Sequence, residues 1–327
     1  MRWLGQSTGA LRRVYPMQRG AVFEFLSRDP VANVLAMQAF EAGRGTAVCI
    51  YGDDGEIRSV ACLGSNIVPV GFDAEGLAKL ADHLLRTPGY SGSIVGASDQ
   101  VLGLWELLDG KYLRPAREVR AHQPSMVAMK AGEVVPGLVG ADFGAGAGVG
   151  AGSGVGAGAG VGGVGVGSPA HATGPLVAPD PQVRPAVVGE GPLVVPAAVA
   201  MYMEELGYDP TAFGPQYARR AHELVARGHT FVRMGLGPDG RRQVIFKADI
   251  GALAGGVAQI QGVWTHPEMR GRGIASAAMV RVVELIQATI APTVSLYVND
   301  FNKPALKAYE KAGFVTVGEY ATILLKV

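Results

Sequence analysis

Along the chain, the spacing of apolar residues switches repeatedly between helical and strand periods. Ala21 to Phe25 and Asn33 to Phe40 recur at helical spacing, while Thr46 to Tyr51 and Ile57 to Leu63 read as strands around the turn GDDG. A helix over Ala74 to Leu85, a strand SIVGAS at 93 to 98 and a helix carrying Val101, Leu104, Trp105 and Leu108 follow. In the second half, AMYMEELGY from Ala200 is a short amphipathic helix, and TAFGPQYARRAHELVARG stays helical until Gly228 stops it. His229 to Met234, Gln243 to Ile250 and Val257 to Thr265 read as strands, the last two separated by the glycine-rich turn GALAGG. SAAMVRVVELIQA then sets Ala278, Met279, Val282, Val283 and Ile286 on one helix face. The strand TVSLYVN ends at Asn299. Asn302 is a natural N-cap for the next helix, Pro304 sits in its first turn and Gly313 ends it. Ala305, Leu306, Tyr309 and Ala312 share the apolar face of that helix.

Composition changes this picture in one place. Of 327 residues, 48 are glycine and only 17% are charged, and the glycine is concentrated between Pro136 and about Gly167 in GADFGAGAGVGAGSGVGAGAGVGGVGVG. Pro-rich text continues to about Pro196. Glycine loses the most backbone entropy on ordering and offers no side chain to bury, so this stretch is expected to be a flexible linker, more extended in its proline-rich part. The expected division is therefore 1–132, a linker over 133–196, and 197–327. A membrane span is not expected, because the stretch lacks runs of Leu, Ile or Phe and includes Asp142.

A net charge of +1 and the lack of a basic stripe argue against nucleic acid or anionic lipid as partners. Cys49 and Cys62 read as two buried thiols in a reducing compartment, the cytoplasm, and too few for a zinc site. No metal is expected.

The chemistry gathers after the strand that ends at Thr265. Arg270-Gly271-Arg272-Gly273-Ile274-Ala275 links that strand to a helix, and such a turn presents amides without intrahelical partners at the positive end of the helix dipole. It suits a phosphate, with Arg270 and Arg272 adding positive charge at the rim.

Three passages resemble the GNAT superfamily of N-acetyltransferases. Arg-x-x-Gly-x-Ala at 270 to 275 is similar to the family's pyrophosphate loop. GVWTHPEMRGRGIA resembles the passage V-x-P-x-x-R-G-x-G, with Thr265 standing where that pattern has Val. NDFNKPALKAYEKAGF, Asn299 to Phe314, is similar to the signature Asn-x-x-Ala-x-x-x-Tyr-x-x-x-Gly-Phe.

The resemblance implies a GNAT fold, an α/β (α+β) architecture with a mixed central sheet and flanking helices. It covers about the last 130 residues. The N-terminal half, whose corresponding passage GSNIVPVGFDAEG lacks the loop pattern, is expected to be a degenerate GNAT-like α/β domain. RPAREVRAHQPSMVAM is similar to a domain of unassigned function that precedes GNAT domains in a bacterial group.

The resemblance also implies a reaction: transfer of an acetyl group from acetyl-CoA to a primary amine of a small molecule or protein, by direct attack. Main-chain groups of Val263, Trp264 and Thr265 would hold the pantetheine and thioester. The amides from Gly271 through Arg272, Gly273, Ile274 and Ala275 to Ser276 would take the pyrophosphate, with Arg270 at the rim and Asn302 as a CoA contact or simply a helix cap. Tyr309 would protonate the leaving thiolate; without the resemblance it would be a core tyrosine bonded to a carbonyl.

The base is less well marked. Where many family members carry a strand glutamate, this chain has Gln259 and Gln261, and Asp249, Glu268 and His266 are the alternatives. Trp264 is expected to pack beneath the cofactor or line the acceptor pocket, and Arg219, Arg220 and Glu223 to form a solvated face or reach the acceptor. A non-catalytic acyl-CoA sensor is the competing expectation. The acceptor and the oligomeric state are left open.

Overall fold

A computed structural model describes residues 9–42, 46–87, 89, 91–130, 174–237 and 240–326. The N-terminal half contributes β1 (Arg12–Arg13), α1 (Arg19–Leu26), α2 (Pro30–Glu41), β2 (Thr46–Tyr51), β3 (Ile57–Leu63), β4 (Asn66–Val70), α3 (Ala74–Arg86), β5 (Ser93–Ala97), α4 (Ser98–Leu108) and β6 (Ala116–Ala128). The C-terminal half contributes β7 (Arg184–Pro185), α5 (Gly191–Leu206), α6 (Gln216–Ala226), β8 (Thr230–Leu236), β9 (Arg242–Ala254), β10 (Val257–Thr265), α7 (Ile274–Thr289), β11 (Thr293–Tyr297), α8 (Lys303–Lys311) and β12 (Phe314–Leu325). This is the mixed α/β architecture expected.

The halves share one 12-stranded sheet, ordered β1-β2-β3-β4-β5-β12-β6-β11-β10-β9-β8-β7. Each half has given a strand to the other. β12 lies beside β5, pairing Tyr320 to Ala97 and Leu324 to Ser93, and β6 lies beside β11, pairing Ser125 to Tyr297. Between them β6 and β12 run antiparallel from Phe314↔Ala128 to Leu325↔Ala116.

Helices cover both faces. α7 and α8 bury Ala278, Met279, Val282, Ile286 and Tyr309 against β8 to β11, and α3 and α4 bury Leu77, Leu80, Leu84, Leu104 and Leu108 against β2 to β5 and β12. On the opposite face α1 and α2 form a cluster that joins Val34, Ala36 and Met37 to Ala252, Ala254 and Val257 of the other half. The fit is close: a Cβ at Gly255, whose φ is +56°, would lie 2.5 Å from Met37. Each large apolar side chain fully buried in these layers contributes roughly 1.5–3 kcal/mol.

Three sequence expectations change. Of the linker assigned to 133–196, residues 133–173 lie outside the described residues, but 174–196 are packed. Val183 is buried in the C-terminal core, β7 pairs with β8, and α5 begins at Gly191. Pro196 lies inside that helix, where a proline removes one hydrogen bond; burial of Val194, Ala197 and Ala198 on the same helix offsets this local penalty. Second, GALAGG is mostly strand, since β9 runs to Ala254 and only Gly255 and Gly256 make the turn. Third, the passage GSNIVPVGFDAEG, for which no element is expected, contains the strand β4 over Asn66–Val70, whose partners β3 and β5 come from tertiary pairing.

Candidate active site

β10 runs parallel to β11 only from Val257↔Thr293 to Ile260↔Leu296. Beyond this the two part, and Gln261 to Thr265 keep a partner only in β9, with a register shift between Gln261 and Trp264. Gly262 sits in that shift at φ +61°. The separation leaves main-chain groups of Val263 to Thr265 without a strand on the β11 side.

The loop after β10 ends at the open start of α7. Gly271 and Gly273 both have φ +75°, with nothing within 4 Å of where a Cβ would stand, so backbone conformation rather than space requires glycine. Gly273 is the N-cap and no side chain caps the helix. Ile274 and Ser276 are buried, whereas Arg272 is exposed.

Arg270 is already engaged: its Nε donates to the Thr265 carbonyl at 3.0 Å and its Nη2 lies 2.6 Å from Glu204 Oε2. Glu204 Oε1 also accepts from Trp264 Nε1 at 3.2 Å. The Trp264 ring is buried with Val194, Ala197 and Val244 on the face opposite α7. The rim charge expected of Arg270 is thus shared with the end of α5.

Tyr309 packs in the core beside Phe314, ring centroids 5.9 Å apart. Burial pushes its phenol well above the usual range, and the charge of Glu205 adds to this. Asn302 caps α8, accepting from the Ala305 amide at 3.3 Å.

The possible bases fare unequally. Asp249 lies 2.6 Å from Lys247 Nζ and accepts from Thr230 Oγ1 at 2.8 Å; Lys247 is fully buried and also donates to the Gly262 carbonyl at 2.8 Å. This pair is tied into the β10 irregularity. Glu268 is exposed, and His266 leaves a buried Nδ1 without a partner beside the Trp264 ring. Gln259 is completely buried, its Oε1 accepting from Gln261 at 3.4 Å, on a strand covered by α2 of the N-terminal half. Arg219, Arg220 and Glu223 are exposed on α6.

Sequence reasoning missed Glu204, Glu205, Lys247, Arg120 and Gln123. Gln123 of β6 accepts from Thr322 at 2.7 Å and donates to Asn299 at 2.8 Å. These partners are far apart in sequence, and only the strand order brings them together. Among the described residues, no group of three or more His, Cys, Asp or Glu is placed to hold a metal ion, and no helix is long and apolar enough to cross a membrane.

Residues 215–314 match the family model of the acetyltransferase (GNAT) family, and residues 46–138 match a domain of unknown function, DUF4081. No curated protein matches the sequence. Among solved structures, a GNAT-family acetyltransferase from Colwellia psychrerythraea aligns with a TM-score of 0.52 and 10% identity, over 97% of this chain and 99% of that one. A GCN5-related N-acetyltransferase from Sphaerobacter thermophilus aligns at 0.51 and 17% identity, over 95% and 93%. The strand pair that parts, the uncapped helix start and the buried tyrosine thus lie within the stretch 215–314 that matches the GNAT family model, in a fold that GNAT-family structures share along nearly the whole chain.

Proposed function

We propose that the protein is an N-acetyltransferase that moves an acetyl group from acetyl-CoA to a primary amine of a small molecule or protein. The uncapped start of α7, directly after a strand that has lost one neighbour, carries this reading. Main-chain groups of Val263, Trp264 and Thr265 would hold the pantetheine and thioester, and the amides from Gly271 to Ser276 the pyrophosphate. Arg270 would exchange Glu204 for phosphate, since the same guanidinium serves either oxyanion. Asn302 holds the start of α8 through its cap, and α8 carries Tyr309.

In the reaction the neutral amine attacks the acetyl carbonyl, an N–C bond forms and the C–S bond breaks. The attacking nitrogen loses a proton to water as the amide forms, Tyr309 gives its proton to the departing thiolate, and the phenolate regains one from water. A phenol pushed up by burial stays protonated at neutral pH, as a general acid must. The protein is read as cytoplasmic.

The test is release of CoA thiol from acetyl-CoA with a panel of small primary amines and lysine peptides. Turnover with any of them supports acetyl transfer. Tight CoA binding without turnover, unchanged by Tyr309→Phe, identifies an acyl-CoA sensor instead.

A further inference from the structure

The end of α5 spans the opening between β10 and β11. On one side Glu204 reaches Trp264 and Arg270 at the end of β10. On the other, Glu205 Oε1 lies 2.6 Å from Arg120 Nη1, and Arg120 belongs to β6, the strand that the N-terminal half inserts beside β11. β6 passes the end of β11 as it reaches this point, since the Asp300 amide still donates to His122 and Arg120 lies two residues further on.

Arg120 is built in rather than draped on the surface. Its side chain is only 8% exposed, and its Nε and Nη2 contact both carboxylate oxygens of Glu118, at 2.8 and 3.3 Å. A buried guanidinium needs both carboxylates to offset its lost hydration. A second contact runs the same way: Arg117 of β6 lies over the Tyr208 ring at 5.3 Å. Tyr208 and Tyr202 share a hydrogen bond of 2.6 Å, and Tyr202 packs edge-on to Tyr217. The last turn of α5 and the connection that follows it are therefore each gripped by a cation of the other half, Arg120 and Arg117.

We propose that Arg120 of the N-terminal half is a positioning residue for the C-terminal site: it fixes Glu205 over the open end of β10 and β11, where that carboxylate accepts a hydrogen bond from the neutral amino group of the acceptor. The inference rests on the acetyl-transfer reading for the acceptor, but the positioning does not. The negative charge of Glu205 also pushes up the phenols of Tyr202, Tyr217, Tyr297 and Tyr309, consistent with its central place among them. On this view the DUF4081 region completes the acceptor side of the site rather than forming a separate module.

The experiment uses the full chain with Arg120→Met, Arg120→Lys, Glu205→Gln and the Arg120→Met/Glu205→Gln double variant. Hydrogen exchange is read first, without any acceptor. Arg120→Met should speed exchange of the amides of 203–209 by about tenfold while leaving β10 and β11 unchanged, and Arg120→Lys should restore most of the protection. Unchanged exchange at 203–209 overturns the positioning role. Kinetics follow with the best amine of the panel. Arg120→Met and Glu205→Gln should each lower kcat/KM for the amine by about tenfold with KM for acetyl-CoA unaltered, and the double variant should be no worse than either single one. Additive losses, or equal losses for amine and acetyl-CoA, overturn the role of Glu205. If no amine reacts with the unaltered protein, the acetyl-transfer reading and the acceptor role fail together, while the exchange result still decides whether Arg120 positions α5.

Discussion

Two strand–turn–helix units occupy comparable places in the single sheet, and they differ at the start of the helix. In the C-terminal unit β10 leads through Gly271 and Gly273 to an α7 that no side chain caps. In the N-terminal unit β4 leads to α3, whose first turn holds the Asp73 carboxylate, accepting from the Gly76 amide at 2.7 Å, with Glu75 adding a second negative charge. The Phe72 amide there is also taken, donating to Gln100 Oε1 at 2.8 Å. An arriving anion would meet free amides in one unit and a carboxylate in the other.

The strand pairs echo this difference. β4 and β5 also pair over a short length, Asn66↔Ser93 and Ile67↔Ile94, but Val68 and Val101 both come within 3.8 Å of a Cβ placed at Gly96 and fill the space beside it. The buried face of α4 carries Val101, Leu104, Trp105 and Leu108, with no hydroxyl to match Tyr309 of α8. One fold thus leaves the helix start open in one half and closes it with a carboxylate in the other.

Removing the hydroxyl that only the C-terminal unit has should have the largest effect. Tyr309→Phe is expected to lower the rate of thiol release by about a hundredfold while leaving CoA binding intact, measured by steady-state kinetics beside calorimetry. Giving α7 the carboxylate of α3 comes next: Gly273→Asp should weaken CoA binding by about tenfold or more. Gly273→Ala, which imposes the same backbone strain at φ +75° without the charge, should cost clearly less in the same titration.

The converse change should alter stability rather than binding. Asp73→Ala is expected to lose about 1 kcal/mol in denaturant unfolding, the usual worth of an N-cap. It should create no CoA site in the N-terminal unit, because Gln100 still holds Phe72.

The smallest effect concerns the anchoring of α5 over the open unit. Hydrogen bonds from Arg184, opposed by burial, together with the Val187 amide and the charge of Arg242, lower the Glu190 carboxyl from 4.5 to about 2. A carboxyl whose folded value lies below its unfolded one stabilises fully above the unfolded value and less as pH falls toward the folded one. Stability should therefore drop between about pH 4.5 and pH 2, and Glu190→Gln should flatten that part of a denaturation series.

Much of the open unit could be read directly from residues. The glycines at 271 and 273, the cap at Asn302 and the apolar face bearing Tyr309 are local patterns, and local backbone chemistry produces the same turn and helices in the structure. The start of α5 and the end of β9 are not legible in the sequence because Pro196 and the glycines of GALAGG are poor helix and strand formers. Packing against neighbouring elements outweighs those propensities. The fate of the strand position held by Gln259 was illegible for another reason: its environment is set by α2, more than 200 residues away in sequence.

What the sequence alone determined is the order of most elements and the local backbone of one strand–turn–helix unit, because periodicity, caps and positive-φ glycines act over a few residues. Tertiary structure decided that the halves exchange β6 and β12 within one sheet, that Arg270 meets Glu204 and that Arg120 meets Glu205. Those contacts join residues 66 and 85 positions apart, and strand pairing, helix packing and burial of charge choose such partners only once the whole sheet is assembled.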